Sequence, residues 1–386
     1  MAVLVVAPTV LRWARETIGF DIKEAADISK QHVDAIASWE AGASHPTLAQ
    51  VKSLARAYRR QLATLLLRQP PAEDEPRLPD FRRRTDYSPP RLPPGVHLAI
   101  RDVRRHQLAF REIASAMDFH GLKPETPTTE DFETLAEQWR QRIGISVRMQ
   151  ESWEHAYDAL RAWRNAVELV GTIVLQLPLG DDAIRGLSIA DSVVPAIALN
   201  TDDSASGRCF TLFHELFHLV LGRVGICEPR SALRYESTSL EEERLCNRFA
   251  GAFLVPLSDL AARASATQIG DMRGLPTEAD FAPLRRAFKV STQVIWYRLH
   301  EAGLVDDNRY NALWAVWANQ PVPDRRTGGG GQDRAERALS RYGRTFVTSM
   351  LEAESRGFID LTALLRYTRV HVEEVPRLAE LASTQG

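Results

Sequence analysis

A dense run of prolines divides this chain into separate folding regions. Eight prolines lie between residues 69 and 95. Each proline removes a backbone N–H and its ring clashes with the preceding helical turn, so this stretch resists helix formation. We therefore predict an extended connector here. The 386 residues are enough for roughly two to four domains, which must lie on either side of the connector.

Residues 1–68 have the pattern of a compact, all-helical module. Asp21 and Glu24 are spaced as a capping box, which predicts a helix that begins directly after Asp21. The next helix is predicted to run from Ser29 to Ser38. Thr47 is placed to begin a further helix.

Beyond the connector the pattern changes from helical to mixed. Residues 96–168 have a helical pattern, and the short β-branched runs at 172–177 and 193–200 predict strands. Two helices are then predicted over 209–221 and 240–254. The predicted fold class is mostly α with a small β-sheet. An N-terminal all-α domain is followed by an α+β domain and a C-terminal helical domain.

The strongest chemical signal is the five-residue motif His214-Glu215-Leu216-Phe217-His218. Residues four apart lie on one face of a helix, so the imidazoles of His214 and His218 can bind one ion, and imidazole nitrogen binds zinc at about 2.0–2.1 Å. Glu215 follows the first ligand and is predicted to act as a general base toward a water molecule. The alternative interpretation is a helix with two surface histidines and an ordinary glutamate.

The predicted helix over 240–254 offers the third metal ligand. Glu243 lies three residues before Cys246 and four before Asn247, on the face that the apolar stripe predicts to be buried. We predict that Glu243 binds the metal and that Asn247 hydrogen-bonds one of the ligands. The two glutamates that precede Glu243 are expected to be solvated. Three protein ligands leave one position open, as in catalytic zinc sites. Cys246 and Cys227 remain alternative zinc ligands.

At these residues the chain resembles a known family. The segment from Phe210 to Leu219 resembles the active-site helix of the ImmA/IrrE family of metallo-endopeptidases, and Glu243 to Ala250 resembles its second motif. Cys246 stands where that family usually has alanine, a difference expected to affect packing and not ligation. The resemblance covers roughly 170–260. It implies a peptidase that cleaves a partner repressor and thereby switches on stress or mobile-element genes.

The N-terminal module has a resemblance of its own. Residues 9–68 resemble a Cro-repressor-like helix-turn-helix of the xenobiotic-response-element (XRE) family. The resemblance rests on short matching pieces, among them Ala14-Arg15, Trp39-Glu40-Ala41-Gly42 and Pro46-Thr47. The segment from Leu78 to Arg82 resembles the connector seen when the two modules are fused.

These assignments together predict the domain organisation. In chain order the domains are an XRE-type helix-turn-helix (1–68), a proline- and arginine-rich linker (69–95), an ImmA/IrrE-like metallopeptidase domain with leading helices (96–260), a helical module (261–327), a glycine tether (328–331) and a C-terminal helical domain (332–386).

The helix-turn-helix predicts contacts with double-stranded DNA. The N-terminal residues of its second helix reach base edges, which makes Lys30, Gln31 and His32 the candidate contacts. Asp34 would repel phosphate. Residues 1–70 contain nine Lys and Arg against six Asp and Glu, a small excess for strong binding. A module for protein contact or dimerisation is therefore the alternative.

Charge and cysteine content limit the class of protein further. A net charge of −2, from 48 Lys and Arg against 50 Asp and Glu, excludes a polybasic protein. Arg82-Arg83-Arg84 is either a solvated charge run or a phosphate-facing patch.

The three cysteines lack CxxC spacing, and we find neither a signal-peptide pattern nor an apolar run of membrane-spanning length. We therefore expect a cytoplasmic protein with no membrane partner.

The predicted function is a zinc-dependent endopeptidase that acts in transcriptional regulation. Its substrate is expected to be a repressor or antitoxin-like protein, and its second partner double-stranded DNA; a homodimer is compatible with this. The strand from Ala196 to Leu199 is expected to offer an edge to the substrate. One alternative is a DNA-binding regulator or antitoxin in which the metallopeptidase fold only senses or scaffolds. Another is a partner of a toxin that cuts nothing. The intact motif favours the enzyme, because a scaffold does not need Glu215.

Overall fold

Helices form most of the regular structure, and one small sheet forms the remainder. The computed structural model describes residues 5–71, 92–127, 129, 131–180, 184–222, 225–227, 241–318 and 333–384. The chain forms two compact units, residues 1–102 and residues 103–386. The predicted fold class, mostly α with a small β-sheet, is confirmed. Most of the predicted proline-rich connector, residues 72–91, lies outside the described residues, and so do the Arg82 to Arg84 run, the Leu78 to Arg82 motif and the glycine tether at 328–331.

The first unit is built from short helices around one apolar core. Its helices are α1 (Pro8–Glu16), α2 (Ile22–Ser29), α3 (Val33–Glu40), α4 (Leu48–Ala57), α5 (Leu62–Leu65) and the beginning of α6 (Pro94–Ala114). Val10, Ile36, Val51 and Tyr58 lie at the centre of the core and are at most 1% exposed. The predicted capping box of Asp21 and Glu24 is present at α2, and Thr47 caps α4.

The turn between α2 and α3 corrects one prediction. Ser29 does not open a helix; it is the last residue of α2, and its buried hydroxyl donates back to the carbonyl of Ala25. Such a bond satisfies the hydroxyl inside the helix that it ends. Lys30 then takes a left-handed backbone with φ 56°, His32 is the N-cap, and α3 begins at Val33. The predicted DNA contacts therefore lie in the turn and at the N-cap of α3.

A buried ion pair joins α1 to α3. Nε and Nη2 of Arg15 donate to the two carboxylate oxygens of Glu40 at 2.7 and 2.8 Å, and Nη1 donates to the carbonyl of Phe20. The side chains of Arg15 and Glu40 are only 10% and 4% exposed. The hydrogen bond to Glu40 raises the pKa of Arg15, so the guanidinium keeps its charge. The orientation of α3 in the core thus depends on a bidentate contact that forms in one geometry.

The second unit contains the sheet. Its strands are β1 (Ile173–Leu177), β2 (Gly186–Ile189), β3 (Ala196–Asn200) and β4 (Gly225–Cys227), in the order β1-β3-β2-β4. β1 and β3 are parallel, whereas β2 is antiparallel to β3 and to β4. The two predicted strands correspond to β1 and β3, although β3 begins three residues later than predicted. β2 and β4 were not predicted.

The sheet order corrects the expected substrate edge. Ala196 pairs with Ile173 of β1 on one side and with Ile189 of β2 on the other. β3 is therefore an interior strand, whose backbone hydrogen-bonding groups are already used by its two neighbours. The prediction that the strand from Ala196 to Leu199 offers an edge is wrong.

Helices cover the sheet and complete the second unit. Before the sheet come α7 (Phe132–Ile143), α8 (Val147–Ser152) and α9 (Ala156–Leu169), and α10 (Ala205–Val220) lies between β3 and β4. After the sheet come α11 (Glu241–Leu254), α12 (Leu257–Ala261), α13 (Ala264–Asp271), α14 (Glu278–Phe288), α15 (Thr292–Glu301) and α16 (Asp307–Ala318). The last helices are α17 (Arg334–Tyr342), α18 (Arg344–Ser355), α19 (Leu361–Thr368) and α20 (Val375–Ser383), with a 3₁₀ turn at Val372–Glu374.

The last helices lie in the same compact unit as the sheet. The side-chain amide of Gln176 on β1 donates to the carbonyl of Ser340 on α17 at 2.9 Å. Arg164 and Glu168 of α9 form a buried ion pair at 3.1 Å, and Glu168 also accepts from the backbone N–H of Thr345. The first contact places α17 beside β1, and the last joins α9 to α18. Among the helices that the structure describes, none is long and apolar enough to cross a membrane.

Removing Arg15 is expected to destabilise the first unit strongly. Arg15→Met keeps much of the side-chain length but leaves the carboxylate of Glu40 buried without its partner, which costs about 3–5 kcal/mol. Hydrogen exchange of the α1 and α3 amides in the full chain measures the loss of protection.

Arg12→Met is the matched control for this variant. Nε of Arg12 lies 3.8 Å from the same carboxylate, but the Arg12 side chain is 56% exposed. An exposed ion pair contributes only about 0–1 kcal/mol, so exchange should change little. Equal acceleration of exchange in the two variants would contradict the role given to Arg15.

Candidate metal centre

The helix that carries His214, Glu215 and His218 is buried on all sides. α10 begins four residues earlier than predicted, where the side chain of Ser204 accepts from the backbone N–H of Gly207. The helix packs against the sheet on one side and against α9 and α11 on the other. His214 and Glu215 are 0% exposed and His218 is 1% exposed. Burial argues against the interpretation of two surface histidines, because buried polar side chains require partners.

β2 passes unusually close to α10 beside Glu215. A Cβ atom at Gly186 would lie 2.4 Å from Cγ2 of Thr211 and 3.4 Å from Cγ of Glu215. A side chain at position 186 would therefore push the strand away from the helix. The missing side chain lets the sheet close over the carboxylate.

Stacked aromatic rings hold α11 against α10. Phe213 stacks on Phe253 with ring centroids 3.9 Å apart, and Phe217 stacks on Phe249 at 4.4 Å. These rings alternate with the polar residues of the motif along α10. The same packing therefore brings Glu243, in the first turn of α11, over the two histidines.

Donor atoms of three side chains converge between α10 and α11. Nε2 of His214 and Nε2 of His218 are 3.1 Å apart, and each lies 3.2 Å from a different carboxylate oxygen of Glu243. Donor atoms around one tetrahedral zinc ion, with bonds near 2.0 Å, lie about 3.3 Å from each other. The three measured separations are close to this value, so the three side chains can hold a zinc ion between them, and their nitrogen and oxygen donors are types that zinc accepts.

Neighbouring side chains orient the two imidazoles. Oδ1 of Asn247 lies 2.9 Å from Nδ1 of His214, which places the Nδ1 proton on that side and leaves Nε2 directed at the triangle. Oε1 of Glu242 lies 3.6 Å from Nδ1 of His218, and the Glu242 side chain is only 19% exposed. The expectation that Glu242 is solvated is therefore wrong, whereas Glu241 is exposed. Only the packing of α11 on α10 distinguishes these two adjacent glutamates.

Cys246 lies close to the same two histidines. It is buried, and its sulfur lies within 4.8 Å of a ring nitrogen of both His214 and His218. Cys246 therefore lies beside the ligand atoms, which agrees with the alternative of Cys246 as a zinc ligand and not with the expectation, drawn from the family resemblance, that it affects only packing. Burial raises the pKa of its thiol to about 11. The side chain of Cys227 lies outside the described part of the chain.

The charges of the site depend on one another. Burial raises the pKa of Glu215, and the neighbouring charges of His218 and His214 oppose that rise. Burial also acts to raise the pKa of Glu243, but the hydrogen bonds with His214 and His218 outweigh it and hold this pKa well below its usual value. The pKa of His218 is raised although burial acts to lower it, because Cys246, Glu242 and Glu243 stabilise its protonated form. Glu243 is thus an anion that faces a cation-binding position.

Comparison with protein families identifies both regions of the chain. Residues 167–300 match the IrrE N-terminal-like domain of peptidase family M78. Residues 11–65 match a helix-turn-helix family. The resemblance to a fused helix-turn-helix and ImmA/IrrE-type architecture is therefore confirmed. Searches among curated proteins and among solved structures returned no match.

The match to the IrrE N-terminal-like domain contains the whole candidate metal centre. It runs from the end of α9 to α15 and so includes the sheet, α10 and α11. The chain accordingly has a metallopeptidase-like domain. The helix-turn-helix match begins in α1, ends with α5 and includes the predicted DNA contacts.

Replacing Glu243 should remove most of the bound metal. Glu243→Gln keeps the size of the side chain but removes the negative charge and the carboxylate donor. Wild-type protein should contain about one zinc ion per chain, because the donors surround a single tetrahedral position. Metal analysis of the purified variant should find most of this zinc lost.

Glu241→Gln is the matched control, since Glu241 lies in the same helical turn and is exposed. It should retain the wild-type zinc content. If Glu243→Gln retained all its zinc, Glu243 would not be a ligand, and Cys246, Cys227 or another histidine would take its place.

Proposed function

We propose that this chain is a zinc-dependent endopeptidase that acts in gene regulation by cleaving a repressor or antitoxin-like partner protein. The observation that supports this best is that Nε2 of His214 and Nε2 of His218 lie 3.1 Å apart and each lies 3.2 Å from one carboxylate oxygen of Glu243, beside a fully buried Glu215. A metal site that only stabilises the fold needs no buried carboxylate next to its ligands. Glu215 is therefore the residue that favours an enzyme over a scaffold.

His214, His218 and Glu243 would hold the zinc ion. A bound zinc ion supplies Lewis acidity, which polarises a peptide carbonyl and lowers the pKa of water. Glu215 accepts the proton of the attacking water and transfers it to the nitrogen of the leaving amine. Burial raises the pKa of Glu215 above that of a solvated glutamate, which makes its carboxylate a stronger base.

Asn247 has a positioning role in this scheme. Its Oδ1 accepts the Nδ1 proton of His214, so the ring presents its unprotonated Nε2 to the ion. The carboxylate of Glu242 lies 3.6 Å from Nδ1 of His218, an ion-pair contact that is longer than a hydrogen bond. Partners of this kind typically contribute about 10–100-fold to metal affinity.

The site opens toward the first turn of α11. The side chain of Glu243 is 24% exposed, whereas the two histidines are buried. Among the described strands, β3 is interior and α17 lies beside β1, so β4 is the edge that remains for an extended peptide. We infer that the substrate backbone pairs with β4, which neighbours α10.

The Glu215→Gln variant distinguishes a peptidase from a protein in which this domain only scaffolds. Glutamine keeps the size and helix propensity of Glu215, and Glu215 is not a ligand, so zinc content and fold should survive. The loss of the general base should lower cleavage by about 10²–10⁴-fold. A reporter strain measures regulation, and co-expression with neighbouring gene products measures zinc-dependent cleavage directly.

Glu241→Gln serves again as the control, because it makes the same chemical change on an exposed surface. It should regulate and cleave as the wild type does. Unchanged regulation by a zinc-loaded Glu215→Gln protein would reject the peptidase. The alternative would then hold, a DNA-binding regulator or antitoxin in which the metallopeptidase fold senses or scaffolds.

We also propose that α3 of the helix-turn-helix reads DNA. Val33, Asp34 and Ala37 are exposed on α3, while Ile36 and Trp39 on its other side are buried. The exposed face carries no cation, so the basic contact must come from the turn before it. Lys30 and His32 are exposed in that turn and Gln31 is half-buried.

Two variants that change the charge in opposite directions test this DNA interface. Lys30→Gln removes one cation and should weaken binding, with a log–log salt slope that falls by about 0.9 if Lys30 contacts a phosphate. Asp34→Asn removes an anion close to the same surface and should strengthen binding. Fluorescence anisotropy on DNA selected by the wild-type protein measures both. If neither variant changes the affinity, the module is a protein-contact device.

A further inference from the structure

Cys246 supplies a sulfur to a group of side chains that already contains two zinc-type donors. Its sulfur and ring nitrogens of His214 and His218 all lie within 4.8 Å of one another, and all three side chains are buried. Cys246 lies one helical turn after Glu243 on the inner face of α11. Cys246 and Glu243 therefore lie on the same face of α11.

We propose that the thiolate of Cys246 is a fourth protein ligand of the ion held by His214, His218 and Glu243, so that the resting site is closed. This inference rests on the proposed zinc site and concerns its regulation. It assigns Cys246 a role in coordination rather than in packing.

The distances allow this bond. Zinc binds thiolate sulfur at about 2.3 Å and imidazole nitrogen at about 2.0–2.1 Å, so a tetrahedral site has a sulfur-to-nitrogen separation of about 3.6 Å. The separations within the group are at most 4.8 Å. The sulfur therefore needs to approach the ring nitrogens by no more than about 1.2 Å, which a change in the side-chain torsion of Cys246 supplies.

Binding of the Cys246 sulfur to the ion requires the loss of one proton. The S–H bond of Cys246 breaks, its proton goes to solvent, and the sulfur electron pair forms the bond to the divalent ion. No electron is transferred and no further reactant is needed. Two imidazoles, one carboxylate and one thiolate then give the ion four protein donors, the number found in closed structural sites.

A site with four protein ligands would hold the peptidase inactive. A peptidase needs one coordination position for water or substrate, and in the resting protein Cys246 would occupy it. The enzyme would be latent until the sulfur leaves the ion as the substrate binds. Replacing Cys246 should therefore weaken metal binding and raise the basal rate of cleavage.

Cys209 provides a matched control. It lies on α10 and is buried like Cys246, and its thiol pKa is also raised by burial. It does not belong to the metal-ligand group found among the described residues. Cys209→Ala thus removes a buried thiol from the same domain without removing the proposed ligand.

Cobalt substitution tests the proposal without relying on activity. Co²⁺ is titrated into the metal-free full-length chain, and near-ultraviolet absorption reports a charge-transfer band only when a thiolate binds the ion. Wild type and Cys209→Ala should show the band. Cys246→Ala should bind cobalt with visible ligand-field bands but without the charge-transfer band, and a competing chelator should show weaker zinc binding.

Alanine is the residue that the resembled family usually has here, and Cys246→Ser is a second variant of nearly the same size.

Each result has a distinct meaning. If wild-type protein binds one cobalt ion without the charge-transfer band, the site has three protein ligands, and the Cys246 proposal is overturned while the proposed zinc site stands. A band that persists in Cys246→Ala would also overturn it, because another cysteine would be the ligand. If the wild-type chain binds neither cobalt nor zinc, the proposed function fails together with this inference.

Discussion

The packing of α10 against α11 is the contact on which the candidate site depends. The stacked pairs Phe213–Phe253 and Phe217–Phe249 alternate with the motif residues along α10. A small rotation of either helix would break this stacking and would also separate Glu243 from the two histidines. Close-packed aromatic rings resist such rotation because any gap loses dispersion contacts. The apolar core thus sets the positions of the polar donor atoms.

Burial gives the same residues their chemical character. A glutamate on a surface helix is a weak base, whereas Glu215 is enclosed by α10, the sheet and the glycine at position 186. The enclosure raises its pKa and the neighbouring histidines limit the rise. Glu243, which lies one helical turn before Cys246, is by contrast partly exposed, and its pKa is well below the usual value of a glutamate. One cluster therefore contains two carboxylates with different properties, as a metal ligand and a general base require.

The helix-turn-helix unit depends on a polar contact instead. The bidentate Arg15–Glu40 pair is buried between α1 and α3, and both residues belong to the pieces that resemble the XRE family. This contact holds α3, the helix proposed to read DNA, in place against α1. The turn that precedes α3 carries Lys30 in a left-handed conformation, so the candidate basic contact lies on the least regular part of the motif.

Local sequence determined the elements whose signals are contained within a few residues. The capping box at Asp21, the helix cap at Thr47, the spacing of His214 and His218, and the inner-face position of Glu243 were all predictable, because each depends on neighbours within one or two helical turns. Tertiary structure decided the rest. Contacts between distant segments decide the interior position of β3, the short strands β2 and β4, the partial burial of Glu242 and the approach of Cys246 to the histidines. Adjacent residues of one helix, such as Glu241 and Glu242, have the same local sequence signal, and only the helix packed against them decides which one faces the site.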